Sequence, residues 1–465
     1  MQQTIQPLAS SYRDPSGFMF EKDGVLYRQV NTIFKKDFDH FLSSGCYDHL
    51  VKNKLLISHE EVDWNFPDAT DLIATQWYKT LKPERIPFIS YPYEWCFDML
   101  KDAALLTLQL TKKCIPFGII LKDATAFNVQ WLNGQPVFID TLSFEMYDAS
   151  KPWIAYRQFC ENFLSPLLLM HYTGQPLQAL LLAYPEGIPL SITKSLLPWK
   201  SRLSFHTYLH IHLHGSLASK SSVKESGAKT NFSEKKLTDL IRSLESLIRS
   251  LHWKGRPGNW GNYYEEVSQR NNYLEQKKNI AVGWINNLAQ IKTAVDLGAN
   301  EGEFSFLLAK KNIGTLATDF DHTAITNLYR KVIKKNEKNI LPLMIDLSNP
   351  SPAIGLNNRE RSSFIERTGV DLVLALALIH HLAIGKNIPF EKIAEFFQKI
   401  TKYLVIEFIP KEDEKIQFML NQKKDIYIDY TEENFVKAFG QFFLIEKKQP
   451  IGDSKRVLYL MKKPG

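Results

Sequence analysis

From residue 291 to the C-terminus, short apolar runs alternate with stretches of helical spacing. The runs are TAVDL (293–297), GTLATDF (314–320), LPLMIDL (341–347), DLVLALAL (371–378), KYLVIEF (402–408), FFLIEKK (442–448) and RVLYLMKK (456–463). Buried parallel strands read as near-continuous apolar runs, and strands alternating with helices build an open α/β sheet. The last two runs are adjacent, as in a terminal hairpin. Upstream, Leu237, Leu240, Ile241, Leu244, Leu247, Ile248 and Leu251 form one stripe at helical spacing. Before them, residues 215–236 are rich in Ser, Lys and Gly and poor in apolar residues, the composition of a linker. The pattern divides the chain into an α+β region (1–215), a flexible linker (216–232), a helical connector (233–290) and an α/β domain (291–465).

Composition narrows this little. At 465 residues the chain exceeds one typical core. The four cysteines, Cys46, Cys96, Cys114 and Cys160, are few and unclustered, which argues against a disulfide framework and suits a reducing cytoplasm. The N-terminus has no apolar signal core, and no run approaches the roughly 20 apolar residues of a membrane span. A formal charge of +7 is compatible with an anionic partner such as nucleic acid without pointing to one.

The stretch TAVDLGANEGEFS (293–305) carries the candidate chemistry. It sits where the first strand of the α/β domain hands over to a helix, and ligands of such sheets bind beyond the C-terminal strand ends. Gly298 and Gly302 let the backbone approach a ligand. Asp296 can accept from an ammonium group. Asp319, ending the second run, can accept both hydroxyls of a ribose, and Asp346 ends the third. His380 and His381 follow the fourth.

These residues resemble the class I S-adenosylmethionine-dependent methyltransferases over about 290–465: Asp296-Leu-Gly-Ala-Asn-Glu-Gly302, then Asp319, Asp346 and Asp371 with His380-His381. Asn300 stands where that family often has a middle glycine, and it also breaks the nicotinamide fingerprint. The resemblance implies a Rossmann-like, mostly parallel seven-stranded sheet. It implies S-adenosylmethionine as cofactor on Asp296, Gly298, Asn300, Gly302, Asp319 and Asp346. For a hydroxyl acceptor, His381 is the first candidate base and His380 the second. Glu407 and Lys411, at the fifth strand's end, are expected to face the same crevice and hold substrate. The segments NRERSSFIER, LALIHHLAIGKNIP and VIEFIPKED resemble a narrower group, the NoeA-like nodulation proteins of bacteria, which implies a glycan acceptor. RNA or protein methylation is the rival. No cysteine lies beyond 160 to serve pyrimidine C5 methylation.

The N-terminal region carries a second constellation, GIILKDATAFNVQWLNGQPVFIDT (118–141). Asp123, Asn128 and Asp140 at this spacing resemble a kinase catalytic loop, in which the first acid is the base and the other two residues hold magnesium. Leu121 replaces the loop's usual His, and TLSF follows Asp140. Residues 15–35 read as a two-strand hairpin without a phosphate-cradling glycine loop or a recognisable lysine. The expectation is a degenerate kinase-like fold that binds substrate or recruits a partner. His206, His210, His212 and His214 cluster without an acid or Cys, and no metal site is expected there; on a strand, the last three would share a face.

Overall fold

The computed structural model describes residues 7–63, 76–213, 232–255, 271–421 and 425–465. It divides into two units, one of residues 1–255 with 353–361, the other of residues 256–352 with 362–465. The expected linker therefore lies, except for Phe232, outside the described residues. The expected connector divides: the helix Glu234–Ser250 belongs to the first unit and the helix Asn271–Asn286 to the second.

The first unit opens with a four-stranded antiparallel sheet of β1 (Gly17–Lys22), β2 (Val25–Asn31), β3 (His59–Val62) and β4 (Trp77–Pro83), in the order β1-β2-β4-β3. The expected hairpin is β1–β2, closed by Asp23-Gly24, both in the left-handed region that a two-residue turn demands. The helix Phe97–Cys114 buries eleven of its residues. The predicted stripe of Glu234–Ser250 packs against that helix. Lys101 Nζ donates to the carbonyls of Arg249 (3.0 Å) and Leu251 (2.6 Å), satisfying groups left open at that helix's end. β5 (Ile119–Leu121) pairs with β8 (Phe144–Met146), and between them lies the hairpin of β6 (Val129–Leu132) and β7 (Gln135–Phe138).

The second unit realises all seven apolar runs as strands: β9 (Thr293–Leu297), β10 (Gly314–Asp319), β11 (Ile340–Met344), β12 (Val370–Ala375), β13 (Thr401–Phe408), β14 (Leu444–Pro450) and β15 (Val457–Lys462). The sheet order is β11-β10-β9-β12-β13-β15-β14. Only β15 runs against the rest, through its antiparallel pairings with β13 and β14. The last two strands are the expected hairpin, with β14 exposed along the edge. Val405 and Phe408 of β13 face opposite ways by strand periodicity. The Val405 side packs with Trp284 and Ile285 of the helix Asn271–Asn286 and with Phe304 and Leu308. The Phe408 side packs with Phe390, Tyr430 and Phe435. Strand order reverses at β9, whose neighbours are β10 on one side and β12 on the other, so a crevice opens beyond the strand ends there. Among the described residues, no helix is long and apolar enough to cross a membrane, and all four cysteines are buried free thiols.

Candidate active site

The glycine turn hangs on the end of β10. Gly298 and Ala299 N–H both donate to the Thr318 carbonyl, at 2.8 and 2.9 Å. Gly298 (φ +73°) and Gly302 (φ +85°) lie in the left-handed region, and a Cβ on Gly302 would stand 2.5 Å from Leu328 Cδ1. Asn300, where a glycine was the common alternative, is also left-handed (φ +49°), a conformation that Asn tolerates best after Gly.

Three of the expected acids line the crevice beyond these strands. Asp296 is buried and accepts from Ser305 Oγ at 2.6 Å. Burial pushes its carboxyl up to about 6, against the pull of Ser305 and Lys277. Asp319 accepts backbone N–H from Asn300 on one oxygen and from Asp321 on the other, both at 2.9 Å, so it ties the glycine turn to the turn after β10. Burial raises its carboxyl above the ordinary value. Asp346 is exposed at the mouth, accepts from Ser348 N and Oγ, and lies 3.8 Å from Lys386 Nζ. The fourth acid of the resemblance is a correction. Asp371 begins β12, at the strand end away from the crevice, where it accepts from Lys292 N, Thr293 N and Lys402 Nζ.

The two histidines separate. His381 lines the crevice; burial, then Lys415, pull its imidazole down to about 4. His380 is buried, does not line the crevice, and packs its ring against that of His381, centroids 4.0 Å apart and planes tilted by 39°. Among the described residues its Nδ1 has no hydrogen-bond partner, and burial holds it neutral, well below the usual imidazole range.

Glu407 and Lys411 do not face the crevice, contrary to expectation. Lys411 pairs with both oxygens of Asp425 at 2.9 Å. Glu407 has no solvent exposure and is the hub of a buried network. Lys277 Nζ lies 2.6 Å from its Oε2, Ala377 N donates to that oxygen at 2.8 Å, Tyr273 OH donates to Oε1, and Arg456 Nη1 is 3.6 Å from Oε1. Arg456 also holds Asp413 through two bonds of 2.8 and 3.1 Å. Burial alone would raise the Glu407 carboxyl, but Lys277 and Arg456 overcome it and hold the group below its ordinary value. Its partners Tyr273, Lys277 and Ala377 do line the crevice, and sequence reasoning missed all three. The available signal was the i, i+4 pair Tyr273 and Lys277, which share one helix face.

In the first unit the structure brings Asp123, Asn128 and Asp140 together. β5 leads into the Asp123 turn, and the β6–β7 hairpin returns the chain to Asp140. Asn128 Nδ2 donates to Ser143 Oγ at 3.2 Å, and Ser143 Oγ donates to Asp140 Oδ2. Burial, then the Asp140 charge, raise the Asp123 carboxyl. Arg28 Nη1 of β2 lies 2.5 Å from Asp140 Oδ1. The histidine tract is helical rather than extended: His206 Nδ1 and His210 Nε2 each lie 2.9 Å from Ser243 Oγ, and His212 Nε2 lies 2.8 Å from Ser201 Oγ. His214 lies outside the described residues. Among the described residues, no group of three or more His, Cys, Asp or Glu is arranged to hold a metal ion.

A mostly parallel seven-stranded sheet with one antiparallel strand beside the edge, a glycine turn after its central strand and acids at the next two strand ends make the second unit a class I methyltransferase-type fold. Nodulation protein NoeA of Rhizobium meliloti (strain 1021) is 33% identical over 468 residues, spanning 97% of this chain and 95% of that one, and the chain belongs to its family. No family model matches the chain. Solved structures with a likeness include the bifunctional kinase-methyltransferase WbdD (16% identity, 47% of this chain and 45% of that chain, TM-score 0.29). Another is magnesium protoporphyrin IX methyltransferase from Synechocystis PCC 6803 with bound SAH (15%, 41% and 84%, 0.31). At such scores nothing about activity passes from those proteins to this chain.

The buried hub yields a prediction. Glu407→Gln leaves the Lys277 ammonium buried without its counter-charge, which should cost roughly 3–5 kcal/mol in urea unfolding. Because the Glu407 carboxyl is held low, its contribution is complete above the unfolded glutamate value and is lost as pH falls through the folded one. The gap between native and variant protein should therefore narrow in acid. A gap that stays constant down through the carboxylate range would show that Glu407 does not carry this stability.

Proposed function

We propose that this chain transfers a methyl group from S-adenosylmethionine to an oxygen of a glycan or small molecule. The observation that carries the reading is the crevice at the strand-order reversal, with Asp296, Asp319 and Asp346 as acceptors on one wall and His381 on another. The donor set fits the cofactor. Asp296 suits an ammonium group. The Asp319 carboxylate offers about four lone-pair sites, more than its backbone donors Asn300, Asp321 and Phe320 fill, so capacity remains for a ribose hydroxyl. Phe320, Ala324, Ile345 and Leu347 supply an apolar surface for a purine. When bound, the cofactor supplies an electrophilic methyl on a sulfonium.

The chain's own part is to orient and to take a proton. An imidazole nitrogen of His381 accepts the proton that a hydroxyl acceptor sheds. With its pKa pulled to about 4, His381 is neutral throughout the physiological range and a weaker base than a free imidazole. His380 serves as packing behind it. The glycan reading draws on kinship with a protein named for nodulation; RNA or protein methylation is the alternative.

The first unit reads as a degenerate kinase-like module that binds or positions a partner. Arg28 supports this, because its guanidinium occupies the Asp140 carboxylate that a magnesium ion would need.

Asp319→Ala should weaken adenosylmethionine binding about ten- to a hundredfold by calorimetry, the worth of charge-assisted hydrogen bonds. Unchanged affinity would remove Asp319 from the site.

His381→Ala should leave that affinity intact and lower kcat by roughly 10²–10⁴. The rising limb of the native pH–rate profile should lie near pH 4, where the imidazole loses its proton, rather than near neutrality. Should His380→Ala be the damaging change instead, the roles are exchanged; if neither matters, the acceptor is a nitrogen with a free lone pair.

Incubation with ATP and magnesium or manganese should release no phosphate. Robust hydrolysis abolished by Asp123→Ala would make the first unit a working kinase.

A further inference from the structure

Residues 190–213 of the first unit run as four short helical segments, Leu190–Leu196, Trp199–Leu203, Phe205–Thr207 and Tyr208–Leu213, packed on one another. Their inward side is sealed. Leu197, Ser201 and Ile211 are buried, and His210 lies 2.8 Å from Tyr156 OH as well as 2.9 Å from Ser243 Oγ. The outward side is not. Trp199, Leu203 and Phe205 are 67%, 74% and 72% exposed, with Leu196 and Tyr208 exposed beside them in sequence. Single exposed apolar residues are ordinary, but five within thirteen residues, on segments packed against one another, are a concentration that calls for a partner.

The charge of the same tract is one-sided. Residues 187–213 contain no Asp or Glu, and Lys200 and Arg202 are exposed between Trp199 and Leu203. The helix Glu234–Ser250 packs against Phe205–Thr207. Of its three acids, Asp239 and Glu245 are paired with Arg242 (3.5 Å) and Arg249 (2.7 Å) on that helix, and Glu234 lies in its first turn. Cations interleaved with Trp, Phe, Tyr and Leu are the chemistry of the membrane interface, where rings sit at headgroup level and lysine and arginine meet lipid phosphates.

We propose that this tract docks the chain on an anionic lipid bilayer. Trp199, Leu203 and Phe205 enter the headgroup layer while Lys200 and Arg202 pair with phosphates. A second copy of the chain is the poorer occupant, because apposing this patch to itself sets Lys200 and Arg202 against their own kind. The segments, three to seven residues long, are too short to lie in the interface as one amphipathic helix. Attachment therefore rests on a few side chains and on screened charge, and is reversible and salt-sensitive.

The test is co-sedimentation of the full-length chain with sucrose-loaded vesicles of phosphatidylcholine mixed with phosphatidylglycerol, against phosphatidylcholine alone. The chain should pellet with the mixed vesicles in low salt and be released in high salt. Lys200→Gln with Arg202→Gln should weaken binding roughly 25-fold, at roughly fivefold per cation. Trp199→Ser with Phe205→Ser should weaken it by roughly tenfold or more. Because all four side chains are exposed, melting followed by circular dichroism should be unchanged in both variants. Failure to pellet with anionic vesicles overturns the proposal, and so does pelleting that neither variant reduces. Concentration-dependent self-association that Trp199→Ser and Phe205→Ser abolish, without vesicle binding, would assign the patch to a second copy instead.

Discussion

The second unit is organised around one buried carboxylate. Glu407 sits near the end of β13 with no access to water, a position that costs several kcal/mol per ion unless the charge is fully met. Four groups from three separate parts of the chain meet it: Tyr273 and Lys277 from the helix before the sheet, Ala377 N–H from the turn after β12, and Arg456 just before β15. Each partner is therefore constrained in place. Ala377 shows the force of the constraint, since it holds a left-handed φ of +49° that disfavours a residue with a Cβ by about 1–2 kcal/mol. That strain persists because the turn aims its N–H at Glu407. The same three groups, Tyr273, Lys277 and Ala377, form crevice wall, so the network that stabilises the unit also sets the shape of its site.

Most of the sheet was legible because buried parallel strands leave apolar runs of the right length, and each of the seven runs became a strand. The glycine turn was legible because Gly298 and Gly302 stand at positions whose backbone forbids most side chains. Asp371 misled for a simple reason. An acid beside an apolar run reads alike at either end of a strand, and only the pairing of β12 with β9 shows that Asp371 opens the strand. Glu407 misled because exposure at a strand end depends on what packs over it, here a helix from outside the α/β pattern. Tyr273 and Lys277 were missed for the same reason: their helix lies in a stretch that looked like a connector, and its role is set by contacts more than a hundred residues away.

The first unit was legible locally and no further. Asp123, Asn128 and Asp140 meet because a short hairpin between them leaves the chain little choice. Arg28 was invisible, since nothing in β2 marks one of its side chains as the neighbour of a residue 112 positions later. The histidine tract read equally as strand or helix; it is helical, and its partners Tyr156 and Ser243 come from elsewhere in the unit. Short patterns lose to tertiary contacts in this way because local propensity amounts to less than the burial and hydrogen bonds it competes with.

The charges of the crevice bear on the proposed chemistry. Lys277 is committed at 2.6 Å to Glu407, so it relieves the buried Asp296 only in part, and that carboxyl stands at about 6. Asp319, raised by its own burial, adds a second acceptor beside it. Three acids thus line the crevice against Lys277, spent on Glu407, and Lys386, 3.8 Å from Asp346, so a cationic ligand gains more there than a neutral one of the same shape. Adenosylmethionine carries two positive centres, the ammonium and the sulfonium, and its demethylated product keeps only the first. Under the proposed function, a wall with more acids than cations therefore discriminates between them. It holds the charged donor before transfer and loses part of its attraction once the methyl has gone, which favours release of the product over its retention.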